Sequence, residues 1–196
     1  MAAGAHALTM QTVFLRRSFG YDGTQIDSLW AYRKLGVQGD SVVAWIGACS
    51  IPARHMIDLE DVRAKSVIRS PRMLHFIAEH FDAPADLEKA VLRQRLFASI
   101  VRDAFEAAGG RRIRREGDDL FDGRAKLSVS IACATPVSVK FHFGINVQRA
   151  TGVGVPTAGL SQYGIDAGKL GAEALARYAA EMAGVVDART RARGAR

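Results

Sequence analysis

The sequence predicts an α+β fold, a mostly antiparallel sheet with helices packed against it. Three observations carry this expectation. Apolar residues at helical spacing dominate the first half of the chain, hairpin signals fill residues 111–147, and one more amphipathic stretch follows near the end. No Gly-x-Gly-x-x-Gly follows a strand and no Walker loop is present, so a doubly wound parallel sheet is not expected.

Taken in order, residues 12–15 read as a short strand, and Thr24 caps a helix through Trp30 and Tyr32 that stops near Gly36. Residues 41–47, Ser-Val-Val-Ala-Trp-Ile-Gly, form a continuous apolar run of strand length that suits burial on both faces. Ser70-Pro71 reads as a cap with proline at the first helical position, and Leu74, Ile77, Ala78 and Phe81 then predict a helix over 71–81. A second helix is expected over 85–108, closed by Gly109-Gly110. Residues 111–115, 120–121, 126–134 and 137–147 follow as strands joined by Gly117-Asp118, Asp122-Gly123 and Thr135-Pro136. Within the third of these, Leu127, Val129 and Ile131 alternate with Ser128, Ser130 and Ala132, a small-residue face expected to leave room above it. Asp166 caps the last helix, expected over 167–184.

With 196 residues, 48% of them apolar, the chain has ample material for a core, and residues 1–186 are expected to form a single domain. The net charge is +7, of which residues 187–196 contribute +3 through Arg189, Arg191, Arg193 and Arg196 against Asp187. That segment reads as a basic, disordered tail, with RNA binding through counterion release as its sharpest function. The uncharged run 41–53 is too short to cross a bilayer, and residues 1–10 carry no basic signal region, so a cytoplasmic protein without membrane partners is expected. Cys49 and Cys133, 84 positions apart, make neither a disulfide framework nor a zinc site and read as core thiols.

The residues that carry chemistry cluster after position 110. Asp118-Asp119, a turn at Asp122-Gly123 and then Lys126-Leu127-Ser128-Val129-Ser130 resemble the central motif of lipoate–protein ligases, where an Asn-Asp pair is followed by Lys-Ile-Ser-Gly-Ser-Ala. Phe143-Gly144-Ile145-Asn146-Val147 is similar to the Gly-Ile-Asn-Val strand end of biotin–protein ligases, and His142 to the histidine on the matching strand of octanoyl transferases. Pro156 to Leu160 resembles the Pro-x-x-Leu segment that comes next in all three. Further phrases, Trp45-Ile46-Gly47, Met56 to Asp61 and Met73 to Phe81, resemble an archaeal and bacterial family known only as a domain of unknown function.

The resemblance implies a biotin/lipoate ligase-like fold and an enzyme, either an acyl-adenylate-forming ligase or an acyltransferase. Such an enzyme binds a small carboxylic acid or its adenylate and passes the acyl group to a protein or RNA acceptor. It implies ATP and Mg2+ as cofactors, Lys126 and His142 as catalytic residues, and Asp119, Ser128, Asn146 and Arg54 as substrate-binding residues. A lysine at a strand start can act as a point charge toward a phosphate or acyl carbonyl. The blander alternatives are a hairpin lysine for Lys126 and a core-satisfied ring for His142. Asp118, Asp58 and Asp61 are the candidate metal ligands, Asp58 and Asp61 sharing a face if their segment is helical, although acids at a helix N-terminus explain them equally. His75, Glu79 and His80 fit no zinc-enzyme spacing.

The arginine-rich loop that closes over the adenylate in biotin and lipoate ligases is replaced by residues 49–58, whose cations are Arg54 and His55. Residues 148–196 hold no cysteine, so the transferases' thiol mechanism does not carry over. A non-catalytic protein that kept the acyl or nucleotide pocket is therefore the second reading, and an RNA-binding module the third.

Overall fold

A computed structural model describes residues 10–192 and 194. Its strands are β1 (Gln11–Leu15), β2 (Ser41–Ser50), β3 (Arg69–His80), β4 (Arg114–Glu116), β5 (Asp119–Asp122), β6 (Ala125–Lys126), β7 (Ser128–Ala134) and β8 (Val139–Asn146). Its helices are α1 (Trp30–Leu35), α2 (Leu59–Ala64), α3 (Leu87–Ala107) and α4 (Ala167–Arg191). The main sheet runs β1-β2-β3-β8-β7, with β1 parallel to β2 and every other pair antiparallel; β4, β5 and β6 form a small antiparallel sheet beside it. This is the mixed, mostly antiparallel architecture with flanking helices that the sequence predicts. Among the described residues no helix is long and apolar enough to cross a membrane.

The sheet is buried on both faces. Val42, Ala44, Leu74, Phe76, Phe141 and Phe143 meet Phe97 and Val101 of α3 and Leu170, Ala174 and Tyr178 of α4. The other face carries Val43, Trp45, Met73 and Ile77, covered by Tyr21, Ile26 and Trp30 from the crossover between β1 and β2. The crossover lies close because Gly47 has no side chain: a Cβ there would collide with the Phe19 carbonyl. Trp45 Nε1 donates to that same carbonyl at 3.1 Å and its ring stacks on Phe19.

Three expectations need correction. Residues 71–81 are not a helix but most of β3, the central strand. Met73 to His80 are buried without interruption, so the period-2 alternation that marks a half-exposed strand is missing and Leu74, Ile77 and Ala78 mimic helical spacing. Pro71 falls where the β2/β3 register slips between Gly47 and Cys49, a bulge that has no ladder bond for proline to break. The helix expected from Thr24 to Gly36 is split into a 3-10 turn, Thr24–Ile26, and α1, because Leu29 turns left-handed at φ 60°. The last helix does not stop at Gly184 but runs to Arg191, with Arg191 paired to Asp187 at i, i+4, so the basic segment begins as helix rather than as the disordered tail expected. Positions 193, 195 and 196 lie outside the described residues.

The serine face of β7 does border open space, as expected. Ser130 Oγ meets Gln94 of α3 at 2.7 Å and Ser128 Oγ accepts from the Leu120 N–H at 2.8 Å, so these side chains brace neighbouring elements while bordering open space. Val129 and Ile131 pack on the opposite face with the Trp45 cluster.

Candidate functional site

A cavity of about 350 Å³ opens where β6, the start of β7 and the end of β8 meet the start of β3 and helix α2. Lys126 reaches it from a backbone held on both sides: its N–H donates to the Pro156 carbonyl at 2.8 Å, and its carbonyl accepts from the Ala158 N–H at 3.1 Å. Its Nζ lies 2.7 Å from Asp119 Oδ2. Burial raises the Asp119 pKa, opposed by the adjacent Lys126 ammonium. The pair is therefore held by mutual need in a partly desolvated wall. Asp118 is fixed differently, its Oδ2 accepting from Ser130 Oγ at 2.6 Å and from Gln94 Nε2 at 2.9 Å.

Asn146 stands at the end of β8, its N–H donating to the Leu127 carbonyl at 2.8 Å. Its side chain is 4% exposed and lines the cavity, and its Oδ1 has no hydrogen-bond partner among the described residues. An amide oxygen left in that state costs about 1–3 kcal/mol unless something donates to it.

Seven residues singled out from the sequence thus line one cavity: Lys126, Asp118, Asp119, Ser128, Asn146, Asp58 and Asp61. Asp58 is the cap of α2, its carboxylate accepting from the Glu60 N–H at 2.8 Å, so the structural role foreseen for an acidic helix start is real here. Among the described residues no three of His, Cys, Asp and Glu are grouped so as to hold a metal ion. Arg54 departs from expectation: it is exposed on a short 3-10 turn, Ala53–His55, and does not line the cavity. The cation present in addition to Lys126 is Arg69, at the start of β3, with its Nε 3.3 Å from the Thr151 carbonyl and its guanidinium lying against Gly152. Sequence reasoning missed Arg69 because its segment was read as the approach to a helix; read as a strand beside the Asn146 strand, it becomes visible.

His142 lines a smaller adjoining cavity of about 40 Å³ that shares Asp58, Asp61, Ile68, Val129 and Ser130 with the larger one. Its Nε2 is 3.1 Å from His75 Nδ1, and its ring stacks on Tyr21 at 3.8 Å between centroids. Burial lowers the His75 pKa to about 4, and burial together with the neighbouring ring holds His142 well below the usual histidine range. Both are neutral at physiological pH and paired with each other, while His75 Nε2 has no hydrogen-bond partner among the described residues.

This predicts an acid-sensitive fold. Between pH 6.5 and about 4 the unfolded chain binds protons at His75 that the folded chain refuses, so stability falls as pH drops through that window, by about 3 kcal/mol for His75 alone. Denaturant unfolding of wild type and His75→Gln across that range checks it; equal pH slopes in the two proteins would refute the assignment.

The family described as "Domain of unknown function (DUF366)" matches residues 10–193. The uncharacterized protein MJ0805 of Methanocaldococcus jannaschii is 36% identical over 178 residues, covering 88% of this chain and 80% of that protein. A protein of unknown function from Pyrococcus horikoshi superposes with a TM-score of 0.89 at 33% identity, covering 95% of this chain and all of the other. Biotin protein ligase from Aquifex aeolicus in complex with biotin and ATP gives a TM-score of 0.60 at 11% identity, over 88% of this chain and 70% of the ligase. The putative lipoate protein ligase Ta0514 of T. acidophilum with bound lipoic acid gives 0.55 at 13%, over 89% and 86%. At such identities the two ligases establish a shared fold.

Proposed function

Because this chain belongs to the DUF366 family and is built on the fold of biotin and lipoate protein ligases, we propose that it is an acyl-activating or acyl-transferring enzyme acting on a small carboxylic acid. The observation that carries the reading is the Lys126 ammonium, 2.7 Å from Asp119, in the wall of a cavity that also holds Asn146. In the activating step a carboxylate oxygen attacks the α-phosphorus of ATP and pyrophosphate departs; in the transfer step an amine or thiol attacks the acyl carbon and AMP departs. Both steps build negative charge on oxygen. A fixed ammonium in a partly desolvated wall stabilises that charge more than water would. Asp119 acts as a positioning residue, holding the Lys126 ammonium in place. Asn146 and Arg69 hold the substrate.

The donor set fits magnesium carried in on the nucleotide. Asp58, Asp61, Asp118 and Asp119 face the cavity against Lys126 and Arg69, a lining that repels a bare triphosphate. Magnesium bound to phosphate oxygens typically needs only one or two protein carboxylates, and Asp58 would supply one. Its chemistry there is charge neutralisation on the phosphates. A cytoplasmic reaction accords with the use of ATP, and the arginines from position 189 onward suit an RNA or acidic protein acceptor.

One observation favours a second reading, binding without turnover: Arg54, a cation of the segment that replaces the adenylate-closing loop, is exposed and does not line the cavity. Thermal unfolding with Mg-ATP and pyrophosphate exchange across a panel of acids separate the two. Ligand at about a hundred times its dissociation constant contributes roughly 2.7 kcal/mol, a shift on the order of 5–10 °C for a domain of this size. A shift with acid-dependent exchange supports the enzyme. A shift without exchange for any acid overturns adenylation in favour of binding.

A further inference from the structure

The cavity wall is more acidic than a site for a plain carboxylic acid should be. Asp119 is answered by Lys126, and Arg69 offsets one more charge. Asp118 is held by two neutral donors, Gln94 and Ser130, and Asp58 by a backbone N–H, so neither is neutralised by its partner. Asp61, half-buried on α2, adds its charge to the same wall. A carboxylate entering here meets net negative charge.

The second observation is independent of that charge count. Asn146 Oδ1 is a buried acceptor without a donor, in the lining of the same cavity. A simple acid in its ionised form brings only acceptors and leaves this oxygen unsatisfied. A hydroxyl would satisfy the oxygen but not the charge. An ammonium does both, and its hydrogen bonds to carboxylate and amide oxygens are of the strong, charge-assisted kind.

We infer that the acid taken by this cavity is an aminocarboxylate, its carboxylate directed to Lys126 and Arg69 and its protonated amine to Asn146 Oδ1 and the Asp61 side of the wall. This rests on reading the cavity as the acid site. The adjoining space of about 40 Å³, walled by Ile51, Ile68, Val129 and Ile131, limits the apolar part of the substrate to a small group.

The test is calorimetric titration of the full chain near neutral pH, with a non-hydrolysable ATP analogue and magnesium present. The titrants are matched pairs: glycine against acetate, alanine and β-alanine against propionate, 4-aminobutyrate against butyrate, and valine against 3-methylbutanoate. At least one amino member should bind about tenfold or more tighter than its twin, the preference expected of a hydrogen-bonded charge. Asp61→Asn, on a half-buried helical position, and Asn146→Ala should each shrink that preference, Asp61→Asn without loss of the folded signal. Plain acids binding as tightly as their amino twins would overturn the inference and leave the acid site standing. Binding by neither class would overturn both. A preference unchanged in both variants would also overturn it, since the amine would then be held elsewhere.

Discussion

Lys126→Ala is expected to lower acid-dependent pyrophosphate exchange by about 10²–10³-fold, the usual cost of removing one preorganised donor from a site of developing charge. The loss should appear in kcat, because Lys126 is asked to stabilise charge that exists only once reaction has begun. Removing the ammonium also withdraws the partner that opposes the burial of Asp119, so that carboxyl shifts further upward and tends to the neutral acid. The fold should survive. The Lys126 side chain is 29% exposed, and its backbone bonds to Pro156 and Ala158 do not involve the ammonium. Lys126→Arg keeps a positive charge near Asp119 but replaces a compact point charge by a planar fork, so partial activity is the expected outcome. A small primary amine added to Lys126→Ala should restore part of the rate, which a purely structural lysine would not allow. Exchange within about twofold of wild type in Lys126→Ala would remove Lys126 from the mechanism, that being far less than a lost donor costs.

The parts of the site that the sequence showed are those where local pattern and function coincide. Lys126 and Asp119 sit beside hairpin turns, where Gly117-Asp118 and Asp122-Gly123 leave the flanking residues at the sheet margin, while Asn146, at the end of β8, was visible only through the resemblance to the Gly-Ile-Asn-Val strand end. What it hid lies on β3. A central strand buried on both faces has no alternation to betray it, and Ser70-Pro71 imitates a helix start, so Arg69 and His75 were lost together with the strand that carries them. Arg54 was misplaced for another reason: a resemblance supplied a loop position by chain order, and whether that loop reaches the cavity is set by packing that no local pattern encodes. The pairing of His142 with His75 also needed the β3/β8 register, which places Ile77 opposite His142 and His75 opposite Gly144. Neither histidine's role could be read before the strand was.

That same register sets Glu79 opposite Lys140, and Glu79→Ala is expected to be the most destabilising single change at a charged position. The two side chains are 2% and 0% exposed with Nζ 3.3 Å from Oε2. Lys140 Nζ also donates to the Asp27 carbonyl at 2.7 Å, while Glu79 Oε1 accepts from the Leu29 N–H at 2.9 Å and Ser138 Oγ at 2.7 Å. The network thus fastens the β1–β2 crossover, with its left-handed Leu29, to the middle of the sheet. Burial lowers the Lys140 pKa, and Glu79 is the largest influence opposing it. Without Glu79 the ammonium is left buried and uncompensated, which costs about 3–5 kcal/mol. In a chain of this size that is a fall in Tm on the order of 6–20 °C. The sign of the pH dependence distinguishes this cause from simple cavity formation. Between its lowered folded pKa and the ordinary lysine value, Lys140 binds fewer protons in the folded chain than in the unfolded one, so stability rises with pH across that window. The window is wider without Glu79, and the deficit of Glu79→Ala should therefore shrink as pH is raised toward about 10. Adding Lys140→Met should recover part of the loss, because it removes the charge that Glu79 had neutralised. A pH-independent deficit, unrelieved by Lys140→Met, would mean that the hydrogen bonds to Leu29 and Ser138, and not the ion pair, hold the crossover down. Because that crossover carries Tyr21 onto His142 at the inner end of the candidate site, the same variant should also loosen the small adjoining cavity, read as weaker protection of the Tyr21 region from hydrogen exchange.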